Sequence, residues 1–128
     1  KKLDIHLLNE NNKPLIRIAN FAIDAKEGMT RYNFKRGCLI GNLEQEVTQL
    51  PESHRLQLLA TFEDWQRKMA VCLQLAQQEN AIATSLDCNA LASFFWLGWE
   101  GAIAKSKLTQ NLAPIDGFID TFLLLVKK

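Results

Sequence analysis

The sequence predicts an all-α protein. Proline, glycine and asparagine punctuate it at intervals that suit helices, and no run shows the strict apolar–polar alternation of a half-buried strand. Several stretches also repeat their apolar residues three and four positions apart. With 128 residues, 48% of them hydrophobic, the chain is large enough to be one domain with its own core.

Taken in order, residues 2 to 8 look like the tail of a helix, because Leu3, Leu7 and Leu8 keep helical spacing while nothing caps their start. The expectation is that the chain begins inside a larger protein. Asn11-Asn12-Lys13-Pro14 is a break followed by a first-turn proline, and Leu15, Ile18, Ala19, Ala22 and Met29 mark one face of a helix ending near Arg31. Tyr32 to Arg36 is read as a connection. Gly37-Cys38 opens a short helix with Leu39, Ile40, Leu43 and Val47 as its stripe, closed at Leu50-Pro51 because the residue before proline resists α geometry.

Pro51 starts the longest helix, to about Asn80, with Leu56, Leu59, Phe62, Met69, Leu73 and Ala76 on a seam and Leu58, Trp65 and Cys72 beside it. Asp87 suits the N-cap of a helix through about Lys107. Pro114 starts a last helix in which Ile115, Phe118, Ile119, Phe122 and Val126 follow helical periodicity. Five or six helices result, with no repeat and no linker long enough to divide residues 1–128.

Composition narrows function. The 15 basic and 14 acidic residues give a net charge of +1, without the basic stripe that neutralising phosphates requires, so this stretch is not expected to bind nucleic acid by itself. Cys38, Cys72 and Cys88 are odd in number and lack CxxC spacing; His6 and His54 lie near none of them in sequence. Neither a disulfide framework nor a metal site is expected, and a reducing cytoplasm fits best. The opening Lys1-Lys2-Leu3-Asp4-Ile5-His6 is not a signal peptide, and no apolar stretch is long enough to span a bilayer. Catalytic motifs are absent too: there is no GxSxG, HExxH, phosphate loop or GxGxxG. The chain is read as a non-enzyme without a cofactor.

In the stretch from Ala90 to Ala104, bulky aromatics precede a cluster of small residues. Gly98 and Ala102, one turn apart, would let another helix approach closely, either within the chain or across a subunit interface. A helix-interior glycine costs roughly 1 kcal/mol relative to alanine, so close packing is the natural compensation. The last helix carries more large apolar side chains than one buried face can hold, with Leu123, Leu124 and Leu125 extending its apolar surface. A two-fold four-helix bundle, two helices per subunit, would bury the excess. The expected interface residues are Phe95, Gly98, Ala102, Ile115, Phe118 and Phe122.

Arg36-Gly37-Cys38-Leu39-Ile40-Gly41-Asn42-Leu43-Glu44-Gln45-Glu46, then Phe62-Glu63-Asp64-Trp65, then Trp99-Glu100-Gly101-Ala102, resemble in that order the C-terminal domain of TetR-family regulators. The resemblance is to the branch with an RGCLxGNL signature, which includes sensors of reactive electrophiles and small unsaturated compounds. It covers nearly the whole chain. It implies a ligand pocket among the middle helices, a homodimer built through the last two, and an N-terminal helix-turn-helix domain, outside this chain, that contacts DNA. The function it implies is repression relieved by a small-molecule effector.

For a reversible effector, the candidate contacts are Asn42, Phe62, Trp65, Met69, Trp96 and Trp99, aromatic walls with a few polar groups, although residues of these types are individually more often core than contact. Glu100 joins them: it lies mid-helix between Trp99 and Gly101, where a buried carboxylate would need a partner, whereas on a solvent face it would mean nothing. Cys38, at a predicted helix start beside Arg36, sits where partial and full positive charge both favour a thiolate. It is read either as a reactive sensor or as a small buried hydrophobe. Cys72 and Cys88 are read as structural, Cys88 near the surface, and His54 as solvated. The competing reading is a stand-alone helical interaction module with no ligand. A Cys38 nucleophile is weaker, since no histidine lies nearby in sequence.

Overall fold

A computed structural model describes residues 2–34 and 51–128. Within them the chain forms α1 (Lys2–Leu7), α2 (Pro14–Arg31), α3 (Glu52–Gln78), α4 (Cys88–Thr109) and α5 (Ala113–Val126). No strand occurs among the described residues; the sole extended pairing there is an isolated bridge between Ile82 and Lys127. The stretch expected to form a helix from Gly37 to Leu50 lies outside the described residues. None of the described helices is long and apolar enough to cross a membrane.

Local chemistry sets the ends. Pro14 occupies the first turn of α2, where its missing N–H costs nothing. The Asp87 carboxylate accepts from the backbone N–H groups of Asn89 and Ala90 at 3.0 and 3.2 Å, capping α4 as expected. After α3, Asn80 turns left-handed with φ of 65°, and the Ala81 N–H closes back on the Ala76 carbonyl at 2.8 Å. Gln110 does the same after α4, with φ of 58°. The Gln77 amide donates to the carbonyls of Ala83 and Leu86, holding the loop that leads into α4.

The helices pack in sequence-neighbour pairs, α1 on α2, α3 on α4 and α4 on α5, with α2 laid across α3 and α5. Ile18, Met69, Leu73, Ala76, Phe95, Ile115 and Phe122 form the centre, all 1% exposed or less. The long helix departs from its expected seam. Its second half is buried at Met69, Cys72, Leu73 and Ala76, but Leu56 and Leu59 are about half exposed. Spacing along one helix cannot tell where its neighbours begin. The C-terminus is tied back to the α3–α4 loop, where the Lys128 N–H donates to the Ala81 carbonyl at 3.0 Å.

Candidate functional site

Three helices bring the expected aromatic residues together. Trp65 on α3 lies 5.3 Å from Trp96 on α4, ring centre to ring centre, and Phe62 meets Trp65 edge-on at 5.6 Å. Phe21 on α2 reaches between the other two rings, 5.8 Å from Trp96 and 5.1 Å from Trp99. Such pairs contribute roughly 0.5–1.5 kcal/mol each beyond their buried area. The Trp96 indole N–H donates to the Trp65 carbonyl at 3.0 Å, fixing that ring against α3. Met69 is fully buried, Trp96 and Trp99 nearly so, while Phe62 and Trp65 are only half-buried and form the cluster's outer edge.

Glu100 lies half-buried on α4, with both carboxylate oxygens withdrawn from solvent. The solvent-facing alternative for this residue is therefore set aside. Arg36, Cys38 and Asn42 lie outside the described residues. Phe21 was not among the candidates from sequence. Its position three residues after Ile18 and beside Ala22 places it on the same apolar face of α2, a signal that the helical spacing carried.

The other two thiols are chemically quiet. Cys72 is buried and donates from Sγ to the Pro14 carbonyl at 3.3 Å; burial pushes its pKa up to about 11. Cys88 is buried rather than near the surface, and burial, with the Asp87 carboxylate adding to it, raises its pKa too. Among the described residues, no group of His, Cys, Asp or Glu is placed to hold a metal ion. An open groove of about 350 Å³ runs along α3 past Gln66, Val71, Gln74 and Asn89, and none of the expected ligand residues among those described lines it.

Four of the six expected interface residues turn inward, while Gly98 and Phe118 are half-buried. Phe95, Ile115 and Phe122 are 1% exposed or less within the chain itself, and Ala102 is buried. Phe95 is enclosed by Trp96, Trp99, Phe118 and Phe122. A side chain built at Gly98 would collide with the Phe118 ring, so the small residue there serves the α4–α5 contact. Both helices are apolar on more than one face, and spacing alone does not say which face turns inward. The face left open carries Phe94, Leu97, Gly101 and Leu108 on α4, and Leu124 and Leu125 on α5; Leu97, Leu108 and Leu124 are 75%, 84% and 76% exposed. At Gly101 and Gly117 an added Cβ would meet nothing within 4 Å, so no packing inside the described chain accounts for either helical glycine.

A family model described as the tetracyclin repressor-like C-terminal domain matches residues 14–122. The chain is 42% identical over 120 residues to the transcriptional regulator AcuR of Cereibacter sphaeroides, an alignment covering 94% of this chain and 55% of that protein. It is 36% identical over 84 residues to the HTH-type transcriptional repressor DhaR of a Mycobacterium species, covering 66% of this chain and 42% of that protein. The crystal structure of a regulatory protein TetR from Rhodobacter sphaeroides superposes with a TM-score of 0.94 at 41% identity, over 98% of this chain and 66% of that one. The chain thus spans about half the length of the curated relatives it matches.

Proposed function

Because the chain belongs to the family of tetracyclin repressor-like C-terminal domains, we propose that residues 1–128 are the effector-sensing and dimerising part of a cytoplasmic transcriptional repressor. In this reading DNA is held by a helix-turn-helix domain outside this chain and released when a small molecule binds or reacts here. The observation that carries the sensing role is the aromatic cluster of Phe21, Phe62, Trp65, Trp96 and Trp99, built from three helices with the shielded Glu100 carboxylate on α4. An effector entering at the half-buried Phe62–Trp65 edge would part α3 from α4. Asn42, outside the described residues, is proposed as a further polar contact on the sequence motif alone.

The open face of α4 and α5 supports the homodimer. A helix-interior glycine is disfavoured by about 1 kcal/mol unless something approaches closely, and Gly101 and Gly117 lack such a neighbour among the described residues. A second subunit laid against Leu97, Gly101, Leu108 and Leu124 supplies it and removes a contiguous apolar patch from water.

The effector class we propose is a small unsaturated or electrophilic compound, with Cys38 as the reacting thiol and Arg36 as the neighbouring cation. The Arg36-Gly37-Cys38 sequence supports it, and burial makes Cys72 and Cys88 the poorer nucleophiles of the three.

All three tryptophans of the chain lie in the cluster. Intrinsic fluorescence therefore reads the site directly. Titrating small unsaturated acids and aldehydes should shift or quench the emission saturably, and Glu100→Gln or Phe21→Ala should weaken the response by about ten-fold or more, the scale of a buried polar or aromatic contact. A response that both variants leave untouched would place binding elsewhere.

A further inference from the structure

Apart from Tyr32 and Phe34, every aromatic side chain of the protein belongs to one unbroken series of ring contacts. It begins at the half-buried edge of the proposed sensing site, where Phe62 meets Trp65, and passes through Trp96 to Phe95 at 4.9 Å. Phe95 lies 5.9 Å from Trp99, 5.4 Å from Phe118 and 5.0 Å from Phe122. Phe122 in turn carries Phe94, stacked on it at 6.4 Å and 52% exposed on the open face of α4. All these spacings lie in the range where rings attract one another. Among the described residues, Phe95 is the one ring that touches both the tryptophans and the phenylalanines of α5.

Phe95 has no room to absorb a displacement by itself. It is fully buried, and a close-packed interior passes a shift of one side chain to the next. Its neighbour Phe118 has a discrete alternative, because the ring fills the notch that Gly98 leaves on α4 and either occupies that notch or vacates it. The next residue back along α5 is Gly117, on the open face. We infer that Phe95 couples the sensing site to the subunit face: repacking of Trp96 and Trp99 repositions Phe118 and Phe122, and docking of a second copy on the open face holds both in place. This rests on the proposed sensing and homodimer roles and adds that each biases the other, by the same factor in either direction, as linkage requires.

The test needs no effector. Leu124 is 76% exposed and stands on α5, whereas the tryptophans stand on α3 and α4. Leu124→Glu should therefore separate the subunits without touching the cluster directly. Tryptophan emission is compared between the parent chain and Leu124→Glu at equal concentration, with sedimentation reporting the assembly state and circular dichroism the fold. The monomer should emit at longer wavelength than the dimer, and the same comparison in a Phe95→Leu background should lose most of that shift. Should Phe95→Leu fail to fold, the half-buried Phe118→Leu decides in its place. A monomeric Leu124→Glu with the emission of the dimer overturns the coupling, as does a shift that the background substitution leaves whole. A Leu124→Glu chain that stays dimeric, or a parent chain that is monomeric, instead removes the homodimer reading at this face and the coupling with it; sedimentation alone reports that failure. Failure of the sensing role is read separately, by the effector titration.

Discussion

The ring of Phe118 on α5 occupies the space that a side chain at Gly98 on α4 would need. This contact sets how closely the two helices approach, and Phe118 joins Phe95 and Phe122 in one three-ring cluster. Gly98→Ala should therefore destabilise the fold by about 1–3 kcal/mol, the usual cost of overpacking, despite the better helix propensity of alanine. Denaturant unfolding measures it. Phe118→Leu in the same chain should recover part of the loss, whereas additive losses would show that the two positions are not coupled.

The neighbouring glycine should behave oppositely. Gly101 faces open space among the described residues, so Gly101→Arg should leave the subunit fold intact. In sedimentation, Gly101→Arg and Leu97→Glu should each shift a dimer toward monomer with helical content unchanged. A dimer that survives both would move the interface off this face of α4.

Ser106 is fully buried, and its hydroxyl has no hydrogen-bond partner among the described residues. Replacing it with alanine removes an unsatisfied polar group at little cost in volume. Ser106→Ala should raise stability by about 1 kcal/mol in denaturant unfolding. A loss of that size would mean that the hydroxyl is satisfied by a buried water.

Thiol chemistry gives two pH-dependent outcomes. Limiting treatment with N-ethylmaleimide near pH 6.5 followed by peptide mapping should label Cys38 ahead of Cys72 and Cys88, and Cys38→Ser should abolish the fast phase; equal labelling of all three would end the case for a sensor thiol.

Stability should carry the second signature. Cys72 has its pKa raised from 9.0 to about 11 in the folded chain. Below pH 9 the thiol is neutral folded or unfolded and costs nothing. Between pH 9 and 11 the unfolded chain loses the proton while the folded chain keeps it, so stability falls as pH rises, by about 1.4 kcal/mol per unit at most. The slope over this window should be shallower in Cys72→Ala, and an identical slope would refute the assignment.

The helical class and the Pro14 and Asp87 helix starts were legible in the sequence. These depend on local backbone chemistry and on spacing along one helix. Motif order likewise pointed to the family that the comparisons bear out.

What only the tertiary structure decided is which apolar stripe of α4 and α5 faces inward. Phe95, Ile115 and Phe122 had the same apparent claim to a subunit surface as Leu97, Leu108 and Leu124, because a helix that is apolar all round has no preferred side until a neighbour is packed against it. The same holds for Phe21 joining the tryptophans and for the exposed first half of α3. Each depends on contacts between helices, and helical periodicity carries information about one helix at a time.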